Sequence, residues 1–459
     1  MTNGLIPAGW REKINAFLRK PAYIMLLMLL TAVCFALKAE LVAYGVIAVL
    51  VLYISLYSPD FLPIIPVLIC AYVIPSTENN PGRSENSVFS GVTGLIVVAC
   101  GAVILAALVW RIIRDRKRLF RKNGMLTKGL LILTLAYMLS GIGFPGYLSV
   151  AWKNIPYGLI QGVALLLPYW LLVGGVDWDD SPKDYLGWVG FGMGCLLMTE
   201  VITIYLTQNV IVDGVIDRTR IYMGWGMYNN LGNLLAMMIP FAFWLGLYYK
   251  KPAVGYLVGF VFLAGVFMTC SRSSMIFGTL CYSACCVVVP EKKHRVRNIL
   301  VFAALAAVCL LLIYIFFDKL HGIFIQILDN LHEVNTRFIG YREGWKQFLK
   351  NPVFGGSFYT EVDIYSFANT DITSFMPPRW HNTVIQLLAS TGLVGLLAYG
   401  YHRYQTLRLM FQRRNRLQVL MSISIFVMLL GSLTDCHMFN VGPGLFYGMI
   451  LAWMEKKID

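Results

Sequence analysis

The sequence predicts an all-α integral membrane protein, and three observations carry that reading. Hydrophobic residues make up 58% of the 459 positions, against roughly 45–50% in soluble domains. Charged residues are 14%, where soluble domains carry about 25%. Apolar runs of about 20 residues, enough to cross a bilayer, recur from end to end. Residues 1–459 therefore read as a single polytopic membrane domain.

About fourteen spans are expected (12–14), at 22–38, 41–57, 61–75, 89–110, 128–146, 155–176, 185–207, 229–249, 253–270, 274–290, 298–317, 383–401, 417–435 and 438–454. The first follows the basic segment 1–21 and is followed at once by more spans, so it reads as retained rather than as a cleaved signal. The third is short and broken by Pro63 and Pro66. The fourth ends in "RIIRDRKRLFRK" (111–122), a run that resists translocation. With a cytoplasmic N-terminus, 26 of the 38 Lys and Arg fall on inner segments. The C-terminus is then cytoplasmic too, and the loops 208–228 and 318–382 face outward.

The net charge of +14 thus reads as a topology signal and an attraction to anionic membrane lipids. No nucleic-acid partner is expected, because the basic runs lack interleaved aromatics and abut spans. The ten cysteines scatter through apolar runs with no C-x-x-C pair and no Cys/His metal spacing. The acidic run "DWDD" (177–180) falls on the inner side and reads as a solvated turn. No metal or cofactor is expected.

Long outward loops are where function concentrates. Within 318–382, "NTRFIGYREGWKQFLKNP" (335–352) has helical periodicity, with Phe338, Tyr341, Trp345, Phe348 and Leu349 on one apolar stripe. Arg337 opens this run, and Arg342 falls inside the stripe, which is expected to pack onto the membrane domain. A snorkelling arginine would explain Arg342 blandly; an anion grip would use its planar fork. Pro352 and "FGGS" (354–357) then read as a stop and a flexible turn.

Further arginines face the same side. "CSRSS" (270–274) interrupts two spans and puts Arg272 near the outer surface, where a cation needs a partner. "DGVIDRTR" (213–220) offers Arg218 and Arg220, with Asp213 and Asp217 close enough to neutralise them. In "PPRWHNTVIQLLASTGLVG" (377–395), Arg379 precedes His381, and Asn382 is placed to cap the following helix. Gly392 and Gly395 suit close helix packing. An imidazole at that helix top could take a proton from a hydroxyl near neutral pH.

Three segments, "GVFMTCSRSSMIFG" (265–278), "GYREGWKQFLKNPVFGG" (340–356) and "HNTVIQLLASTGLVGLL" (381–397), together resemble the O-antigen ligase and polymerase superfamily. The resemblance covers roughly 225–400. It implies a metal-independent glycosyltransferase of the GT-C type in the cytoplasmic membrane, working on its outer side with inversion. The implied donor is a glycan on undecaprenyl diphosphate, and the implied acceptor a glycan or a lipid or cell-wall anchor. His381 would be the general base, and Arg272, Arg342 and one of Arg218 and Arg220 would bind the diphosphate. Asn382, Arg379 and Arg337 would support them. The chain departs from the family pattern at Gly355–Gly356–Ser357, at Ala389–Ser390–Thr391 and at Asn382. The rival reading is a transporter or lipid-linked glycan flippase. Ion-coupled carriers hold ionisable residues deep in their spans; here Glu200 is the main one, with Asp435 and His437 at the end of the last hairpin.

Overall fold

A computed structural model describes residues 6–73, 91–121, 124–212, 215–223, 226–289, 296, 300, 331–359, 380–412 and 415–456. The protein is mostly helical. Helix α1 (Ala8–Leu18) meets α2 (Pro21–Ala36) at a bend of 76°, where Pro21 opens α2 with its fixed φ. Helix α3 (Glu40–Tyr57) ends on Arg111, carried by α5 (Gly91–Arg114). Arg111 Nη1 donates to the carbonyls of Ile54, Ser55 and Ser58 at 3.2, 3.3 and 2.7 Å. These carbonyls lie in the last turn of α3 and at its C-cap, where a helix end leaves acceptor capacity unused.

Helix α4 (Ile64–Val73), the short α6 (Arg116–Arg121) and α7 (Thr127–Met138) follow. The span expected at 128–146 is helical only to Met138. Gly141 and Gly143 then take positive φ of 77° and 82° and turn the chain. Helix α8 (Tyr147–Gly175) leads to α9 (Tyr185–Thr207), whose Gly187, Gly190 and Gly194 line up one or two turns apart. They receive the rings of Trp244, Phe241 and Phe262 from the next two helices. Asp180 of the "DWDD" turn pairs with Arg19 at 2.7 Å.

The loop 208–228 folds into two small antiparallel hairpins. Strand β1 (Ile211–Val212) pairs with β2 (Val215–Ile216), and β3 (Tyr222–Met223) with β4 (Gly226–Met227). A 3-10 turn at Arg218–Arg220 separates them. Helix α10 (Tyr228–Tyr248) is the hub, with 89% of its apolar window buried. It packs against α9, α11 (Pro252–Met268), α12 (Arg272–Val288) and α15 (Arg416–Gly431). Helices α13 (Leu331–Lys350), α14 (Thr383–Gln412) and α16 (Val441–Lys456) complete the bundle.

Among the described residues four helices, α8, α9, α10 and α14, are long and apolar enough to cross a membrane. The bent pair α1–α2 makes up to five, and six more apolar helices run 10–17 residues. The span expected at 298–317 lies outside the described residues except for Leu300, as do 318–330 and 360–379 of the loop 318–382.

Candidate functional site

The site is built where the chain enters α14. Asn382 Oδ1 accepts from the backbone N–H of Val384 and Ile385 at 2.8 and 3.1 Å, so it caps this helix as expected. Its Nδ2 donates to Leu433 O at 2.8 Å, in the turn between α15 and α16. Thr383 N–H donates to Ser432 O at 2.9 Å in the same turn. Tyr341 Oη, from α13, donates to the His381 carbonyl at 3.3 Å. His381 is thus held at its own carbonyl by α13 and, through Asn382 and Thr383, by the turn between α15 and α16, in a left-handed conformation with φ of 51°. A side chain rarely takes that conformation unless its surroundings impose it.

Those contacts set the imidazole against a carboxylate. His381 Nδ1 lies 3.5 Å from Asp435 Oδ1, with 37% of the His381 side chain exposed and 13% of Asp435. Burial alone would push the Asp435 carboxyl up. The His381 imidazole, the charge of His437 and the Cys436 N–H at 2.7 Å outweigh it and hold the carboxyl below the usual carboxylate range.

The second oxygen of Asp435 extends the site to α12. Asn229 Nδ2, at the top of α10, donates to Asp435 Oδ2 at 3.2 Å. Its Oδ1 accepts from Ser271 Oγ at 3.0 Å, and Ser271 Oγ lies 2.8 Å from Ser274 Oγ. Ser271 is the residue before Arg272, so one asparagine joins the carboxylate to the arginine-bearing turn. The next residue, Asn230, accepts from Asn440 Nδ2 at 2.5 Å and faces His437 Nδ1 at 3.1 Å. Cys270, before Ser271, is another left-handed residue, with φ of 53°.

The structure separates the two outer-loop arginines. Arg218 lies over the ring of Tyr228, 5.0 Å from its centre and next to Asn229. Arg220 instead pairs with Asp217 at 3.0 Å and donates to Asn209 O at 3.2 Å. Arg337 Nη1 donates to Thr434 O at 3.1 Å, tying α13 to the Asp435 turn. Arg379 lies outside the described residues.

Helix α13 corrects one expectation. Tyr341 and Phe348 pack inward with Gly340, Gly344 and Gln347, but Phe338, Trp345 and Leu349 are exposed. Arg342 shares their open side, 69% exposed and 3.4 Å from Glu343. The stripe is therefore split: Tyr341 and Phe348 pack inward, while Phe338, Trp345 and Leu349 face away from the protein. In a membrane protein an apolar face can meet lipid as readily as a neighbouring helix, so periodicity did not fix the side.

Gly392 corrects another. It breaks α14 with φ of 62° and ψ of −155°. Leu393 N–H and Val394 N–H donate to Pro352 O and Val353 O, at 2.8 and 3.1 Å, instead of one turn back. The freed carbonyls of Ala389 and Ser390 accept from Gly356 and Ser357 N–H at 2.7 and 3.1 Å. The segment "FGGS" is therefore fastened to the helix rather than a loose turn. A Cβ at Gly392 would lie 2.5 Å from Val353 O, so its role is this backbone exchange and not helix packing.

Sequence reasoning missed Asp435, Asn229 and Ser271 as partners of His381. The available signal was an acid in a chain whose spans are almost bare of charge, on the side expected for His381. Glu200, the other such acid, is buried with no hydrogen-bond partner for its carboxyl oxygens among the described residues.

Residues 257–400 match the family model described as O-Antigen ligase. This match supports the O-antigen ligase/polymerase superfamily for that segment of the chain. No curated protein matches it in sequence. The O-antigen ligase segment holds Arg272, Arg342 and His381, whereas Asn229 and Asp435 lie on either side of it. The apolar helices mark a membrane protein, and the matched segment points to a glycan ligase or polymerase role.

Proposed function

We propose that the protein is a membrane glycosyltransferase that moves an undecaprenyl-diphosphate-linked glycan onto an acceptor hydroxyl on the outer side of the cytoplasmic membrane. The pairing of His381 with Asp435 at 3.5 Å carries this reading. A carboxylate that stays ionised beside an imidazole orients it and stabilises the imidazolium formed when it takes a proton.

In the proposed step His381 removes the acceptor hydroxyl proton. The acceptor oxygen forms a bond to the anomeric carbon as the bond to the diphosphate oxygen breaks, with inversion. Negative charge grows on the leaving diphosphate. Arg272 and Arg218, on the two segments that meet at the top of α10, stabilise that charge, and Arg342 meets it from the open side of α13. Preorganised cations supply what a divalent ion supplies elsewhere, so the step is written without a metal.

The test is the surface glycan of cells carrying His381→Ala or Asp435→Asn at normal protein level. Loss of transferred glycan is expected in both. Unaltered glycan in either variant, with the protein present, sinks the reading. The gel profile of a deletion strain then sorts the reaction. Single-repeat product indicates a lost polymerase, and unattached long chains a lost ligase.

A further inference from the structure

Arg403, in the part of α14 beyond Gly392, is a cation that the transfer step does not use. Its Nη1 donates to Tyr447 Oη at 2.8 Å, and its Nη2 reaches Met438 Sδ at 2.7 Å. Its guanidinium carbon lies 4.5 and 5.0 Å from the ring centres of Tyr399 and Tyr447. Every one of these neighbours is neutral. Among the described residues no carboxylate pairs with Arg403, and its Nε is buried without a hydrogen-bond partner.

The other inward-turned arginines show how the fold treats such a charge. Arg111 has Asp115 at 2.5 Å, and Arg19 has Asp60 at 2.7 Å and Asp180 at 2.7 Å. A cation within a membrane span is expensive and almost always paired, and it marks a ligand path when it is not.

The surroundings of Arg403 also favour an anion. His402 beside it is fully buried, with Nε2 2.8 Å from Tyr447 Oη and Nδ1 unpartnered. The hydroxyl of Tyr137 is likewise buried and unpartnered, and it lies close enough to feel the Arg403 charge. Hydrogen-bond donors thus collect around one positive charge with no acceptor of opposite sign. Arg403 keeps part of its surface accessible while Tyr447, Met438 and His402 keep almost none. The neighbouring turns carry Leu397, Tyr401 and Tyr404, exposed on the outside of the bundle.

We infer that Arg403, with the hydroxyls of Tyr399 and Tyr137, binds the phosphate group of a membrane lipid. A guanidinium fork fits two oxygens of a tetrahedral phosphate, and phosphate is the anion that bilayer lipids present. A phospholipid headgroup and a polyprenyl phosphate share that chemistry. The inference stands apart from the transfer reading, since it requires binding only.

The experiment uses the full-length protein in a neutral detergent and follows lipid retention by native mass spectrometry. The probes are phosphatidylglycerol and a polyprenyl phosphate, with diacylglycerol and polyprenol as phosphate-free controls. The wild type is expected to hold a phosphate lipid at least about tenfold tighter than its phosphate-free counterpart, which is about 1.4 kcal/mol. Arg403→Gln is expected to abolish that preference and Arg403→Lys to keep most of it. Tyr399→Phe, which preserves the ring and the cation, should weaken it by about threefold and serves if Arg403→Gln does not fold. Preference for polyprenyl phosphate alone assigns the site to the carrier lipid; equal retention of both assigns it to headgroups. No preference in the wild type, or an unchanged one in Arg403→Gln, overturns the inference. His381→Ala is expected to lose transfer yet bind normally, so failure here and failure of the transfer reading are told apart.

Discussion

The junction before α12 and the junction before α14 use the same backbone device for opposite ends. Each places a non-glycine residue in the left-handed region, Cys270 at φ 53° and His381 at φ 51°. Each follows it with a small polar residue, Ser271 or Asn382. Asn382 then caps its helix with two hydrogen bonds. Ser271 makes no side-chain cap and gives its hydroxyl to Asn229 instead. Before α14 the strained residue is itself the proposed base, while before α12 it is a spacer that delivers Arg272. An uncapped helix start beside an arginine is a better place for a growing negative charge than a capped one. The capped start suits a residue that must only be held still.

The largest effect that would break this comparison is at the imidazole. His381→Ala and Asp435→Asn are each expected to lower glycan transfer by on the order of 10²–10⁴, read from transfer in isolated membranes. Next comes the charge at α12. Arg272→Ala should lose roughly 10²–10³, while Arg220→Ala, already committed to Asp217, should stay within about threefold. If the two arginines behaved alike, the division of roles between the junctions would fail. Asn229→Ala removes the bridge between them, and a hydrogen bond to a charged group contributes about 1.5–3 kcal/mol. Transfer should therefore fall by roughly tenfold or more, with a wild-type protein level.

Acidity gives a smaller, graded test. The folded protein holds the Asp435 carboxyl below its ordinary range. The stability this contributes is present above the unfolded-state value, about 3.9, and is lost as pH falls through the folded value. The gap in unfolding temperature between wild type and Asp435→Asn should close in strong acid, below the unfolded-state value. Smallest of all is Cys270→Gly. Relief of the left-handed strain and the added chain entropy of glycine nearly cancel, so stability should change by less than about 1 kcal/mol. A large loss there would mean that the Cys270 thiol, not merely its backbone, matters.

The local features of this site were legible in the sequence. The order His381–Asn382 before an apolar run announces a capped helix start, and the polar break at 270–274 announces Arg272. What joins them was not. Asp435 and Asn229 are brought to the site by the packing of α10 against the last hairpin, and no spacing rule links residues so far apart. Arg218 and Arg220 were equivalent on paper until the Tyr228 ring distinguished them. Gly392 read as a helix contact because its neighbours form a helix, whereas its left-handed backbone follows from a loop more than thirty positions earlier. Helix content was legible for the same reason that span count was not. Apolar runs form helices readily, but α7 ends at Met138, sooner than hydropathy suggests.

The mutual exchange of N–H and C=O partners at Gly392 makes the 352–357 segment a splint rather than a connection. Adding or deleting a residue there would strand donors and acceptors on both sides at once, at a depth where water cannot easily replace them. Variation elsewhere in the segment 318–382 is thus channelled past this clasp, and the geometry around His381 is insulated from it.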